Sequence, residues 1–222
     1  NNFPTLSALS FPLAAKSFRK GNLKSNSTDH QMYTATMPTP TSGKWYWEVN
    51  NKNEHGGGTY YGQYLGILTS TVFHTEQDIS SYAGGNYIGS YIRGLAGVGW
   101  IGGNDNYYSN LSAADSGSNG ANESGWGNEA NSEGILGFAL DADAGSLKYY
   151  WNNSLVRTDS TLTANIEYFP SANLTNSGGN IWSVAYFNFG QDSSFAGTKT
   201  AQGNKDGNGI GDFYYSPPSG HL

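Results

Sequence analysis

The strongest constraint on this chain is a period-two alternation of side chains, repeated in short runs that glycine, asparagine, aspartate and serine interrupt. In Lys44-Trp45-Tyr46-Trp47-Glu48-Val49, Trp45, Trp47 and Val49 fall on one face and Lys44, Tyr46 and Glu48 on the other. That is the pattern of a strand with one buried and one wetter side. Similar runs lie at 60–68, 134–140, 147–151 and 181–189. In the last of these Ile181, Ser183, Ala185, Phe187 and Phe189 share one face, and Trp182, Val184 and Tyr186 the other. Both faces are apolar, which predicts a central strand covered on two sides. By the same periodicity Trp45, Trp47, Trp151 and Trp182 are assigned to the core. No window of a dozen residues carries a helical apolar stripe free of glycine or a turn pair, and the best candidate for a single helical turn is 75–82. Asp141-Ala142-Asp143-Ala144-Gly145 and Asn152-Asn153 supply residues tolerant of positive φ at tight reversals, so both predict hairpin turns.

A chain of 222 residues fits one all-β domain. It contains no cysteine, which excludes thiol nucleophiles, zinc knuckles and iron–sulfur clusters. The net charge is −6 and the 11 basic residues are spread singly, so the clustering that neutralises phosphates is missing and no nucleic-acid partner is expected. No apolar run approaches the roughly 18–20 residues of a membrane span, so no membrane insertion is expected. Charged residues make up 13% of the chain, against about 25% in an average soluble domain. Asn, Ser, Thr and Tyr supply the polarity instead, a habit of secreted and virion proteins that points to an extracellular or virion location. Asn1-Asn2-Phe3-Pro4 carries neither an initiator Met nor a basic leader, so a processed product or part of a longer polypeptide is expected. Two stretches read as loops, at 102–131 and at 190–211, and a structureless run of about 30 residues inside a compact domain points to function or mobility.

Five blocks occur in a telling order. Gly43-Lys44-Trp45-Tyr46-Trp47-Glu48-Val49 is followed by Gly66-Ile67-Leu68, then by Gly134 to Leu147 with its G-x-x-G and L-D-x-x-x-G-x-L spacing. Tyr168-Phe169-Pro170-Ser171-Ala172 and Val184-Ala185-Tyr186-Phe187-Asn188-Phe189-Gly190 come after them. Together the blocks resemble the SPRY domain over 43–190. The flanks, from Asn2-Phe3-Pro4-Thr5-Leu6 to Pro217-Pro218-Ser219-Gly220, resemble SPRY modules carried on tailed-bacteriophage structural proteins. The resemblance implies an all-β fold, a bent two-sheet antiparallel β-sandwich of the concanavalin-like jelly-roll kind. One SPRY-like domain would occupy 1–222, with a lead-in over 1–29, a core over about 30–190 and a C-terminal extension over 191–222. The long Asn/Gly/Ser insertion between Trp100 and Glu133 departs from the family pattern.

The chemistry available is limited. Sandwiches of this kind also house glycosidases, which need two acids about 5–9.5 Å apart, but no strand pattern supplies such a pair. Asp141 and Asp143 sit at a turn, and Glu48 reads as a solvated or ion-paired strand residue. His30, His55, His74 and His221 are scattered, and Gly56-Gly57-Gly58 lacks the residues of a phosphate loop. Asn204-x-Asp206-x-Asn208-Gly209-x-x-Asp212 spaces oxygen ligands as a Ca²⁺ loop does, although Tyr215 stands where a closing Glu belongs. The same residues would equally make an Asn/Asp-rich turn, and apart from that Ca²⁺ no cofactor is implied. Trp100, Asn104, Asp105, Tyr107, Tyr108 and Trp126 place rings among carboxamides and carboxylates, as a recognition surface for sugars or peptides does; the alternative is that Trp100 and Tyr108 anchor the insertion.

The sequence reading is therefore a non-enzymatic virion structural or binding module. Its partners would be other virion proteins or a host-surface glycan or receptor, and it would assemble in repeated copies as a homo-oligomer. The alternatives are a secreted carbohydrate-binding module or glycosidase relative, and a decoration or spacer protein without a ligand.

Overall fold

The computed structural model describes residues 3–7, 17–21, 23–26, 31–53, 63–69, 97–101, 106–109, 134–174 and 183–222. Among these the regular elements are twelve strands: β1 (Ser17–Arg19), β2 (Lys24–Asn26), β3 (Gln31–Thr34), β4 (Lys44–Asn53), β5 (Gln63–Thr69), β6 (Gly97–Ile101), β7 (Asn106–Ser109), β8 (Gly134–Asp141), β9 (Ser146–Trp151), β10 (Ser154–Asp159), β11 (Tyr168–Leu174) and β12 (Ser183–Asn188). They form a seven-stranded sheet in the order β1-β2-β12-β4-β8-β9-β10 and a five-stranded sheet in the order β3-β11-β5-β6-β7. The ladders are antiparallel throughout. Four of the strand runs read from the alternation are present as β4, β8, β9 and β12, and the run at 60–68 overlaps β5. The candidate helical turn at 75–82 and Trp182 lie outside the described residues.

Both predicted reversals are turns. Asp141 pairs with Ser146 across the first, where the Asp141 carboxylate accepts the Ala144 amide at 3.0 Å and Asp143 accepts the Gly43 amide at 3.1 Å. Asn152 and Asn153 form the second at φ 46° and 70°, the conformation of a tight hairpin whose twist matches its strands.

The core lies between the sheets. Trp47 and Val49 of β4, Phe138 of β8, Tyr149 of β9 and Phe187 of β12 face Tyr33, Leu65, Ile67 and Tyr168 of the other sheet. Register makes Trp47, Phe138 and Tyr149 direct cross-strand neighbours. Their rings stack at 5.0 Å and then meet edge-on at 5.5 Å, pairings that add to simple burial.

The seven-stranded sheet is covered on its second face as well. Val184, Tyr186 and Ile135 pack there with Phe195, Tyr214 and Tyr215, and Tyr46 and Ala139 pack with Phe213. The expectation that β12 is covered on both sides is met. The expectation for Glu48 is corrected: it is fully buried, because the face of β4 read as wet is roofed by residues 191–222. That segment is correspondingly no free loop but a turn-rich cover.

Candidate binding site

β12 pairs with β4 only from Asn188, opposite Glu48, to Ser183, opposite Asn53. At Gly190 the chain swings away with φ 99°, and a Cβ there would stand 2.9 Å from Phe213 and 3.0 Å from Phe3, so glycine is required for both shape and space. Residues 44–47 of β4 therefore lose their neighbour on one edge. Leu222 takes up part of that edge: its carbonyl accepts the Tyr46 amide at 2.8 Å and its own amide donates to the Lys44 carbonyl at 2.9 Å.

What remains of the gap is a cleft of about 420 Å³. Trp45, Tyr46 and Trp47 line it from β4, Pro170 from β11 and Phe189 from the end of β12. Phe3 and Pro4 close one side and Met37 to Pro40 another, while Asp206, Asn208, Phe213 and Leu222 come from the extension. The walls are fastened. The Trp45 indole N–H donates to the Ser42 carbonyl at 2.9 Å, and the Thr39 hydroxyl and amide both bond to the Tyr168 carbonyl, at 3.2 and 2.7 Å. The Gln191 side chain donates to the Pro4 carbonyl at 3.1 Å and accepts the Phe189 amide at 2.6 Å.

Behind the cleft stands Glu48. Its Oε2 accepts the Tyr214 amide at 2.9 Å and the Asn188 carboxamide at 3.1 Å; its Oε1 accepts the Tyr215 amide at 2.8 Å and the Tyr46 hydroxyl at 3.2 Å. Burial pushes the carboxyl up to about 7, against the pull of these four donors. Burial and the neighbouring carboxylate push the Tyr46 hydroxyl well above its usual range. Gly137 faces Glu48 across the ladder, and a Cβ there would meet the Tyr46 hydroxyl at 2.7 Å, so this glycine clears room for the tyrosine to reach its partner. Asn188 is the second hub. Its Oδ1 accepts the amides of Gly190, Gln191 and Asp192 at 2.9–3.1 Å, and its Nδ2 also donates to the Asp212 carbonyl at 2.9 Å. One carboxylate and one carboxamide thus bolt the extension to the sheet and set the rear wall of the cleft.

The residues singled out by sequence fall elsewhere. Trp100 lies in β6, and Tyr107 and Tyr108 lie in β7, with Trp100 opposite Tyr107 and Gly99 opposite Tyr108. The reading of 102–131 as a loop is corrected at Asn106–Ser109, which pairs as the edge strand of the five-stranded sheet. Asn104, Asp105 and Trp126 lie outside the described residues. Of the Ca²⁺ candidates, Asp206 accepts the Asn208 and Ile210 amides at 2.8 and 2.9 Å, an Asx turn. The Asn204 carboxamide donates to the Phe213 and Tyr214 carbonyls and accepts the Ser216 hydroxyl, while Asp212 accepts the Ser193 hydroxyl. Among the described residues no group of three or more His, Cys, Asp and Glu side chains is gathered as a cation would need. Glu48, Asn188 and the cleft were not anticipated as a site. The available signal was the pairing of two sequence blocks, since the E of K-W-Y-W-E-V and the N of N-F-G stand opposite each other in register.

Fold and site define a two-sheet antiparallel sandwich with an aromatic cleft beside its closing strand. Among solved structures the chain is similar to the PSpry domain of TRIM65, at TM-score 0.53 and 14% identity over 84% of this chain and 89% of that one. The SPRY domain of human HERC1 aligns at TM-score 0.48 and 14% identity over 78% and 91% of the two chains. The fold is that of SPRY domains, as the resemblance implied. No family model and no characterised protein sequence matches the chain.

Proposed function

We propose that this chain is a non-enzymatic binding module of a virion, exposed outside the host cell, that holds another protein through the aromatic cleft beside β4. The observation that carries the reading is the cleft itself. About 420 Å³ of concave space is lined by aromatic and proline side chains, within the size range of sites that recognise a side chain or a short segment. Its walls are fixed by hydrogen bonds from four separate parts of the chain, which limits the entropy lost when a partner docks. Among the described residues the site offers no nucleophile with an adjacent base. Its one deeply buried acid, Glu48, is enclosed by its own donors rather than presented to a substrate. Tailed-phage structural proteins are the setting that the flanking sequences resemble.

The test is capture of purified particles, of their separated structural proteins, of host cells and of a glycan array by the wild-type chain and by Trp45→Ala. Trp45 is half-buried at the cleft wall and packs against the core, so its removal should cost at least about tenfold in affinity as well as some stability, and capture is compared under conditions where the variant's unfolding curve shows it fully folded. Capture that Trp45→Ala leaves untouched would remove the cleft as the binding surface. Capture of glycans alone would replace the protein partner with a sugar.

A further inference from the structure

The polarity of the cleft carries the reading one step further, to the charge of what enters it; this step rests on the cleft being the binding surface. Among the described lining residues none is basic, and Asp206 is the one acid. Its orientation is set by the turn that contains it, because Oδ1 accepts the Asn208 and Ile210 amides at 2.8 and 2.9 Å. No hydrogen-bond donor from the described residues is assigned to the second oxygen, Oδ2.

An anionic group entering here would meet Asp206 with no counter-charge among the described lining residues, on a chain whose net charge is −6. A purely apolar side chain would strip water from Asp206 and give nothing back. A cation with an apolar body satisfies both requirements. Its stem lies along the half-buried Trp45 ring, and its head pairs with the carboxylate. A planar guanidinium meets an aromatic wall and a carboxylate better than an ammonium does. We infer that the cleft accepts an arginine side chain presented by the partner protein, with Asp206 as its counter-ion.

The probes are two blocked tripeptides, acetyl-Gly-Arg-Gly-amide and its citrulline counterpart, which keeps the shape and removes the charge. Binding to the full chain is followed by tryptophan fluorescence and by the indole resonances, at low salt and at about 0.3 M salt. The arginine peptide should bind at least about tenfold more tightly than the citrulline peptide, and the margin should shrink as salt rises. Asp206→Asn keeps an acceptor for both backbone amides and should lower the arginine peptide to the citrulline level without moving the urea midpoint. Equal affinity of the two peptides for the wild type overturns the inference whatever the variant does. So does full arginine binding by Asp206→Asn, or no binding of either peptide at about 10 mM. The two readings fail separately: if Trp45→Ala abolishes capture of the natural partner while Asp206→Asn leaves it intact, the cleft stands and the arginine does not.

Discussion

Replacing Glu48 with glutamine isolates the energetic consequence of a carboxyl group sealed between a sheet and its cover. The folded protein holds this proton more tightly than the unfolded chain does, because burial raises the group from its ordinary 4.5 to about 7. Its contribution to stability is therefore complete below pH 4.5, declines as pH rises toward 7, and is gone above that. At about 1.4 kcal/mol per pH unit the interval corresponds to about 3 kcal/mol, large against the 5–15 kcal/mol of an ordinary domain. Other groups titrate in the opposite sense. Burial lowers His221, and the Ala144 amide and Lys44 ammonium outweigh burial to hold Asp141 below its ordinary value. Both favour the fold less as pH falls. The decisive quantity is thus the difference in unfolding free energy between wild type and Glu48→Gln, from urea titrations at several pH values from 4.5 to 8. It should shift against the wild type by about 3 kcal/mol on going up in pH. A difference that stays level would refute the argument from burial. One that moves in favour of the wild type would mean that the four donors outweigh desolvation and hold the ionised form.

Two further substitutions follow from the packing. Phe213 is buried and meets the Tyr46 ring edge-on at 5.4 Å, so Phe213→Ala should cost about 3–5 kcal/mol, with hydrogen exchange rising first at residues 204–222; a loss below about 1 kcal/mol would mean that the extension is held without it. Asn153 has φ 70°, so Asn153→Ala should destabilise by about 1 kcal/mol while Asn153→Gly holds or gains stability, and equal effects in thermal melts would argue against backbone strain.

The strands and reversals were legible because their causes are local. Alternation marked β4, β8 and β12, and the Asp-rich and Asn-Asn pairs marked the turns between β8, β9 and β10. The two apolar faces of β12 even announced that something must lie on the far side of the sheet. Glu48 was misread because a polar residue on an alternating strand is taken to face water, and the roof above it has no period of its own. Residues 191–222 fold through bonds to distant partners, such as Glu48 to Tyr214 and Tyr215 or Gln191 to Pro4, and no local pattern encodes those. The cleft was equally hidden. Nothing local ties Pro4, Pro38, Pro40 and Pro170 to Trp45, and only the fold gathers them around it. Asn106–Ser109 reads as loop because its polar sequence earns strand geometry only through pairing with β6.

The bonds that close over Glu48 span 166 and 167 residues, and the edge of β4 beside Tyr46 is completed by Leu222. This has a consequence for the time course of folding. While the chain is being made, β4 can find neither β8 nor β12 until residues 134–188 are out, and its outer face keeps a naked acid and an unroofed tyrosine until residues 213–215 follow. Local contacts cannot nucleate such a sheet cheaply, because the loop entropy falls due before the distant pairings repay it. The β8-β9-β10 hairpins can form locally, whereas closure of β4 between β8 and β12 and under its cover is expected to come late.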